Sequence, residues 1–245
     1  MALNNTSLTI IVPFYNEENT LLDSVKGLID QNIASDIILV DDFSSDKSLS
    51  IAREIKKLSE KIIVLEKDKN EGKGSAVIFA KPYINSSHVI VHDADLEYHP
   101  SDIVKLFEMA KLNPESLIIG TRTKEGIERQ KIYKTLVFIN KLFTLIFNFL
   151  NSSKISDITT CYMLMPAKFF LNSIGDEKKF CIEVEILSKF LRSDNKIIEI
   201  PIRYTGRKYS EGKKINLFDG FSIFIKIIWY SRLFSFVRLK IKNLR

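Results

Sequence analysis

Three carboxylates follow a short apolar run near the middle of the chain. Residues 89–91 are Val, Ile and Val and predict a buried strand, and Asp93, Asp95 and Glu97 lie just beyond its end. Crowded carboxylates repel one another unless a cation lies among them. Because oxygen ligands suit Mg²⁺ or Mn²⁺, and such ions usually bind phosphates, convergence of these side chains predicts a metal site. A solvated acidic loop is the alternative interpretation.

The surrounding sequence predicts the elements that would position these carboxylates. Apolar runs alternate with patterns of helical spacing through the first half of the chain. This alternation predicts an α/β fold with a mainly parallel sheet and helices on both faces, in which ligands bind outside the carboxyl ends of the strands. The predicted strands are 8–12, 37–40, 62–65, 89–91 and 117–119, and the predicted helices are 18–30, 48–58, 75–83 and 100–111.

Polar residues also follow the first two predicted strands. The first strand runs into Pro13-Phe14-Tyr15-Asn16-Glu17, where Asn16 is suited to cap the next helix and Glu17 to lie in its first turn. The second strand runs into the pair Asp41-Asp42. Adjacent carboxylates are costly to bury without hydrogen-bond donors, and a ribose hydroxyl or a base N–H would serve.

Two further segments carry groups that suit a phosphate. Asn70-Glu71-Gly72-Lys73-Gly74 precedes the third predicted helix, where glycines permit the close approach of a ligand and Lys73 can meet a phosphate. This loop is neither a Walker loop nor a dinucleotide fingerprint. Gly120-Thr121-Arg122 follows the last strand of this half. Arg122 is placed to reach a pyrophosphate, and a solvated surface arginine is the alternative.

Charge and composition narrow the classes of function. The chain has 245 residues and a net charge of +6, and residues 203–245 contain 11 Lys and Arg against 2 Asp and Glu. This basic, aromatic-rich tail predicts an anionic partner, and the lack of any nucleic-acid motif argues against a nucleic acid. Cys161 and Cys181 fit neither a disulfide framework nor a zinc site, so we expect two buried thiols. No stretch reaches 18 uninterrupted apolar residues, so no transmembrane helix is predicted.

The order of the motifs resembles one family of enzymes. Pro-x-Tyr-Asn-Glu, Val-Asp-Asp-x-Ser-x-Asp, Asn-x-Gly-Lys-Gly, Asp-Ala-Asp-Leu-x-x-x-Pro and Gly-Thr-Arg follow one another between residues 7 and 125. This succession resembles the family 2 glycosyltransferases of the GT-A fold, which is Rossmann-like. Within that family it is most similar to the polyprenyl-phosphate glycosyltransferases, including dolichol-phosphate mannose synthases. Similarity continues at 157–162, 183–185 and 199–202, and in Arg207 and Gly212-Lys213-Lys214.

The resemblance implies a role for each matching residue. The nucleotide sugar would be bound by Pro13, Tyr15, Glu17, Asp42, Lys73, Asp93 and Arg122. The metal, Mg²⁺ or Mn²⁺, would be bound by Asp93, Asp95 and Glu97, with Asp95 and Arg122 acting in catalysis. Phosphate on the acceptor side would be bound by Arg207 and Lys213.

Two positions depart from the pattern of the resembled branch. Mannose synthases commonly have Gln where this chain has Glu97, and an extra negative charge should tighten the metal. Residues 157–162 read Asp-Ile-Thr-Thr-Cys-Tyr, whereas relatives often have Thr-Ser-Gly-Phe-Arg. The basic residue at the end of that motif is therefore missing here.

The resemblance implies inverting, metal-dependent transfer of a hexose from a UDP- or GDP-sugar to a polyprenyl phosphate, either undecaprenyl or dolichyl. A lipid phosphate is already anionic at pH 7 and needs no strong base. The alternative acceptor is a saccharide hydroxyl in cell-surface glycan synthesis, which would need a base, and Asp157 is then the candidate. A helix cap is the structural alternative for Asp157.

A polyprenyl acceptor requires membrane contact, and two segments could supply it. Residues 132–150 are apolar except for a narrow stripe of Lys134, Lys141 and Asn148, which fits an interfacial helix near 130–151 or a buried core helix. Residues 218–245 interleave aromatic and basic side chains, as at a headgroup region. We expect a catalytic domain over 1–214, an extension with amphipathic membrane-associated helices over 215–245, and peripheral association with the cytoplasmic face of the membrane.

Overall fold

A fully buried, mostly apolar strand lies in the interior of the sheet. The computed structural model describes residues 6–123, 129–130, 134–179, 181–193, 195–207 and 217–234. In it, strand β1 (Leu8–Phe14) is buried at every residue. Such burial on both faces is typical of parallel strands covered by helices, and it explains why β1 shows no alternation of polar and apolar residues.

Seven strands form the main sheet in the order β3-β2-β1-β4-β7-β5-β8. Neighbours pair in parallel in β1–β2, β1–β4, β2–β3 and β5–β8. The predicted mainly parallel sheet is thus confirmed. The remaining strands of the sheet are β2 (Asp36–Asp41), β3 (Ile62–Glu66), β4 (His88–Val91), β5 (Leu117–Thr121), β7 (Met163–Pro166) and β8 (Ile197–Pro201), and β6 (Arg129–Gln130) pairs separately with β9 (Tyr204–Thr205).

Strand β7 runs against its neighbours. It lies between β4 and β5 and pairs antiparallel with both. The alternation of strands and helices did not predict it, because β7 follows a long helix and a loop rather than the regular crossover of the first half. Its residues are all buried, so β7 joins the two parallel parts of the sheet through the core.

Eight α-helices are described. They are α1 (Leu21–Gln31), α2 (Ser48–Lys56), α3 (Lys73–Phe79), α4 (Asp102–Leu112), α5 (Lys134–Asn151), α6 (Ala167–Ser173), α7 (Ile182–Phe190) and α8 (Leu217–Tyr230). The third predicted helix is in fact α3 followed by a short 3₁₀ turn at Lys81–Tyr83, which has Pro in its first turn. Proline at that place ends the preceding α-helix because it lacks an N–H donor.

The predicted start of the first helix is wrong. Helix α1 begins at Leu21, and the carbonyl oxygen of Glu17 accepts from the backbone N–H groups of Thr20 and Leu21. Asn16 has a left-handed φ of 51° and does not cap α1. Its side-chain oxygen instead accepts from the backbone N–H of Ser45, 2.8 Å away. Asn16 and Glu17 therefore belong to a turn that joins the ends of β1 and β2.

Helices α5 and α8 pack side by side, with the rings of Phe143 and Phe224 6.3 Å apart. Phe147 of α5 is fully buried, whereas Phe149 is 80% exposed. Asn148 does not form part of a solvated stripe, because its amide donates to the carbonyl of Ile155 at 2.7 Å. Helix α5 is therefore a core helix on one face, and its other face is apolar and exposed.

Helix α8 has the same two-sided character. Ile223, Ile227 and Tyr230 are buried, and Phe221, Ile225 and Trp229 share the opposite, exposed face. No helix among the described residues is both long and apolar enough to cross a membrane. The predicted boundary between 214 and 215, and residues 235–245 of the predicted extension, lie outside the described residues.

Candidate active site

A cavity of about 420 Å³ opens at the carboxyl ends of β1, β2 and β4. Strand order reverses on either side of β1, which is where open α/β sheets leave a crevice for ligands. Ten predicted site residues line this cavity: Pro13, Tyr15, Glu17, Asp42, Lys73, Asp93, Asp95, Glu97, Arg122 and Arg207. Lys213 lies outside the described residues. The structure therefore brings residues from five separate motifs to one place.

Asp93 is paired with a lysine. The Lys73 ammonium lies 2.8 Å from an Asp93 oxygen and 2.8 Å from Glu183 of α7. Burial alone would raise the pKa of Asp93, but the positive charge of Lys73 outweighs it and holds that pKa below its usual value. Lys73 thus ties the start of α3 to the loop after β4 and to α7, and its predicted contact with a phosphate stays a prediction.

Asp95 lies in a more negative environment. Burial, together with the charges of Asp93 and Glu97, raises the pKa of Asp95 to about 7, although Arg207 acts in the opposite direction. The Arg207 guanidinium lies 3.1 Å from Asp95 and 3.0 Å from Glu17. A raised carboxyl pKa beside other carboxylates shows that positive charge is in short supply here.

Glu97 is held by a different part of the chain. Its two oxygens accept from the Tyr204 hydroxyl at 2.6 Å and from the Arg207 backbone N–H at 2.7 Å. Convergence of Asp93, Asp95 and Glu97 on one point is not seen, since no such cluster of three exists among the residues that the structure describes. The physical reason is that each carboxylate has its own partner, which is Lys73, Arg207 or Tyr204.

The donor set nevertheless fits a divalent cation. Six carboxylates line the cavity, and the cations Lys73 and Arg207 pair with four of them. Arg122 adds no free positive charge because Asp157 neutralises it. An excess of carboxylate oxygens is what hard ions such as Mg²⁺ and Mn²⁺ require. The six are Glu17, Asp42, Asp93, Asp95, Glu97 and Glu183.

Protein groups supply the donors expected beside Asp42. Its carboxylate accepts from the Lys67 ammonium at 2.5 Å and from the Gly72 backbone N–H at 2.6 Å. Lys67 is buried, and it belongs to none of the motifs recognised in the sequence. Asp42 therefore anchors the glycine-containing turn to the end of β2, and its predicted role in binding the nucleoside remains untested.

Arg122 and Asp157 form a buried ion pair. Arg122 Nε and one Nη lie 2.8 and 2.9 Å from the two Asp157 oxygens, and Asp157 is fully buried. The guanidinium also stacks on Tyr204, with 5.0 Å to the ring centre. Arg122 is thus not the solvated residue of the alternative interpretation; it lines the cavity through a fixed side chain.

This geometry argues against Asp157 as a base. Burial alone would raise its pKa, but the Arg122 charge and hydrogen bonds from Arg122 and Asn140 hold the pKa below its usual value. A general base needs a pKa near the working pH and a free oxygen within reach of the acceptor. Asp157 caps no helix either, because it lies in the loop between α5 and β7. Its observed contacts position Arg122.

Sequence reasoning missed the contribution of Tyr204. This residue combines the contact to Glu97 with ring packing on Tyr98, whose centre lies 5.4 Å away. Only its place between the Glu-Ile-Pro-Ile segment and Arg207 could have drawn attention to it. Cys161 is buried as expected, and it lines the cavity beside these residues.

The first turn of α3 is packed against the segment 175–179. The backbone N–H of Ser75 donates to the carbonyl of Lys178 at 2.8 Å. A Cβ on Gly74 would overlap the carbonyl oxygen of Glu177 and lie 2.9 Å from the carbonyl carbon of Lys178. Glycine is thus needed at 74 because two stretches of backbone approach each other there, and that approach places Lys73.

Replacement of Gly74 with alanine should destabilise the protein. The added methyl meets backbone atoms that cannot rotate away, so we expect the free energy of unfolding to fall by about 1–3 kcal/mol. Gly220 of α8 is the matched control, since a Cβ there meets nothing within 4 Å. Gly220→Ala should raise helix propensity and stabilise by roughly 0.5–1 kcal/mol. Urea unfolding of both variants checks this, and equal stabilities would contradict the packing argument.

The chain is similar in sequence to known glycosyltransferases. The family described as "Glycosyl transferase family 2" matches residues 9–172. A UDP-N-acetylglucosamine–dolichyl-phosphate N-acetylglucosaminyltransferase of Methanococcus voltae is 26% identical over 239 residues, covering 89% of this chain and 94% of that protein. A dolichol-phosphate mannosyltransferase of Pyrococcus furiosus is 30% identical over 217 residues, covering 84% of this chain and 58% of that protein.

Solved structures show a similar fold. Glucosyl-3-phosphoglycerate synthase from Mycobacterium tuberculosis, in complex with Mn²⁺, UDP and phosphoglyceric acid, superposes with a TM-score of 0.71. The match covers 94% of this chain and 78% of that one at 14% sequence identity. At this identity the likeness concerns the fold alone.

Proposed function

Because the chain belongs to glycosyl transferase family 2, we propose that this glycosyltransferase moves a hexose from a nucleotide sugar to the phosphate of a polyprenyl lipid. The likeness in fold to GT-A enzymes accounts for the site at the carboxyl edge of the sheet. Two relatives are named for sugar transfer to dolichyl phosphate, which supports a lipid phosphate as the acceptor.

The observation that carries the proposal is the two-sided character of the cavity. Carboxylates and the cations Lys73 and Arg207 line it, and so do the apolar side chains of Ile158, Val184 and Ile223. Ile223 belongs to α8, and the opposite face of that helix exposes Phe221 and other apolar side chains. A polyprenyl phosphate has an anionic head and an apolar tail. It matches a cavity that is lined by both charged and apolar side chains and lies beside a helix with an exposed apolar face.

The residues that line the cavity would have different roles in the reaction. Asp93 and Asp95 would hold a divalent ion, which supplies positive charge that stabilises the departing diphosphate. Pro13, Tyr15 and Asp42, at the ends of β1 and β2, would bind the nucleoside. Arg122 is held in the cavity wall by Asp157, so its charge is oriented before any ligand arrives. Attack from the face opposite the leaving group inverts the anomeric carbon.

The acceptor phosphate requires little help with its proton. A phosphate monoester is anionic near neutral pH, so the nucleophile is ready without a strong base. Asp157, the predicted base for a hydroxyl acceptor, is buried and paired with Arg122. Asp157 is therefore poorly suited to activate a saccharide hydroxyl. Because a lipid phosphate needs no such activation, it is the favoured acceptor.

A radiolabelled transfer assay tests the proposal. Purified protein is incubated with Mg²⁺ or Mn²⁺, with UDP-glucose, UDP-N-acetylglucosamine or GDP-mannose as donor, and with undecaprenyl or dolichyl phosphate. Formation of a lipid-linked sugar with at least one donor is the expected result. A parallel reaction contains a free saccharide in place of the lipid. Transfer to this saccharide but to neither lipid would show that the acceptor is a saccharide hydroxyl. The absence of transfer with every combination would overturn the proposal.

We also propose that the protein associates peripherally with the cytoplasmic face of a membrane. Along α5 the exposed residues Phe138, Leu142, Leu145 and Phe149 share one face, and α8 adds Phe221, Ile225 and Trp229. Basic residues Lys141 and Arg232 are exposed on and beside these helices. Apolar faces flanked by basic side chains favour an anionic bilayer surface over other partners.

Vesicle binding checks the membrane proposal. Phe149→Asp removes a phenylalanine that would enter the headgroup region, a burial worth about 1.5–3 kcal/mol. We expect its affinity for vesicles with anionic lipid to fall roughly tenfold or more. Leu112 on α4 is 77% exposed but lies outside α5 and α8, so Leu112→Asp should bind as the wild type does. Equal loss in both variants, or a wild-type dimer that Phe149→Asp dissociates, would contradict the proposal.

A further inference from the structure

Residues 204–207, here called the clasp, are pinned to the loop that follows β4. Glu97 makes three contacts with the clasp: its carboxylate accepts from the Tyr204 hydroxyl and the Arg207 N–H, and its backbone carbonyl accepts from the Thr205 N–H at 2.9 Å. Tyr98, next to Glu97, forms a bridge with Tyr204. The clasp therefore has a fixed position over the carboxylates of the cavity.

The clasp places one positive charge among those carboxylates. Arg207 extends between β1 and β4, where its guanidinium nitrogens lie 3.0 and 3.3 Å from Glu17 and 3.1 Å from Asp95. The side chain is only 14% exposed. Its Nε is buried and has no hydrogen-bond partner among the described atoms. A buried N–H donor without a partner costs free energy. That cost lowers the free energy needed to move the Arg207 side chain away from Asp95.

The same carboxylate is required by a divalent ion. A metal ion on Asp95 and a guanidinium 3.1 Å from the same carboxylate would repel each other strongly at such short range. The two cations therefore compete for Asp95. Without the metal, Arg207 offsets part of the negative charge that Asp93, Asp95 and Glu97 create together.

We propose that Arg207 is an internal substitute for the divalent cation and leaves Asp95 when the metal binds. This inference rests on the proposed function, because it assumes that Asp95 is a metal ligand. The departing guanidinium stays tethered by Glu97 through its backbone, so it remains at the cavity and free to meet a phosphate. Arg207 is thus a positioning residue: metal binding at Asp95 changes where its side chain lies within the clasp.

Binding of Mn²⁺ to the protein without nucleotide tests this exchange, with free Mn²⁺ followed by electron paramagnetic resonance. Arg207→Gln removes the competitor, so we expect Mn²⁺ affinity to rise about tenfold. Arg207→Lys retains the charge and should stay close to the wild type. Arg203→Gln is the matched control: Arg203 pairs with Asp102 at 3.1 Å and touches neither Glu17 nor Asp95, so its affinity should change by less than about twofold.

A neutral variant separates displacement from simple electrostatics. Tyr204→Phe changes no charge but removes the hydroxyl contact that holds the clasp on Glu97. If Arg207 must leave, this variant should also bind Mn²⁺ more tightly, by about threefold, because a less firmly held clasp lets the Arg207 side chain leave Asp95 at a lower cost. Equal Mn²⁺ affinity in the wild type and all clasp variants, with loss on Asp95→Asn, would overturn the exchange and leave the metal site standing. No Mn²⁺ binding by any of the proteins would overturn the metal site itself.

Discussion

Replacement of Asp95 with alanine is expected to lower sugar transfer by about a thousandfold or more while the protein stays folded. In the proposed reaction, Asp95 fixes the positive charge that stabilises the departing diphosphate, and loss of one such preorganised interaction commonly costs two to three orders of magnitude in rate. Folding should not suffer, because burial and neighbouring carboxylates raise the pKa of Asp95 to about 7, and Arg207 keeps its ion pair with Glu17 when Asp95 is removed.

The measurement is the initial rate at saturating donor, together with the circular dichroism spectrum and the melting temperature. Asp68, an exposed aspartate just beyond β3, provides the control, and Asp68→Ala should transfer sugar at the wild-type rate. A double variant Asp93→Ala, Asp95→Ala that remained fully active would show that the carboxylates have no part in catalysis.

Replacement of Asp157 with asparagine is expected to act mainly on stability, lowering the free energy of unfolding by about 3 kcal/mol. The change leaves the Arg122 guanidinium buried against Tyr98 and Tyr204 without its counter-charge. Removing one partner of a buried ion pair is far more costly than removing both. Arg122→Met combined with Asp157→Asn should therefore destabilise less than the two single changes added together.

Chemical denaturation gives the energies, and Asp30, exposed on α1, serves as the matched control. Asp30→Asn should change stability by no more than about 0.5 kcal/mol. The result also bears on the acceptor. An Asp157→Asn protein with wild-type stability and a rate that falls only with a hydroxyl acceptor would favour general-base catalysis and a saccharide substrate.

The sequence predicted most of the parallel half of the fold. Strands β1, β2, β3 and β4 are short and apolar, and each is separated from the next by a helical pattern, so local information was sufficient to place them. Their carboxyl ends share one edge of the sheet, which is why residues as distant as Tyr15 and Arg122 could be assigned to one cavity. The end of α3 and the start of α1 differ from the prediction because a proline follows α3 and a turn at Asn16 and Glu17 precedes α1.

The partner of each charged side chain could not be predicted from the sequence. Lys73 pairs with Glu183, 110 positions away, and Tyr204 donates to Glu97 from 107 positions away. Such contacts depend on how loops after different strands fold over one another. Spacing alone placed Asp93, Asp95 and Glu97 together, but it could not show that three different groups would hold them apart.

Glu177, which contacts both α8 and the start of α3, limits which substitutions the protein can accept. Glu177 is buried, and one of its oxygens accepts from Lys226 at 2.7 Å and from the Tyr230 hydroxyl at 2.8 Å. Its backbone carbonyl meanwhile lies against Gly74. We therefore expect homologous proteins to change Glu177, Lys226 and Tyr230 together, because a change at one of them alters the contacts of the buried Glu177 carboxylate. Correlated substitutions at these three positions in homologous proteins would show that α8 and the start of α3 are structurally coupled.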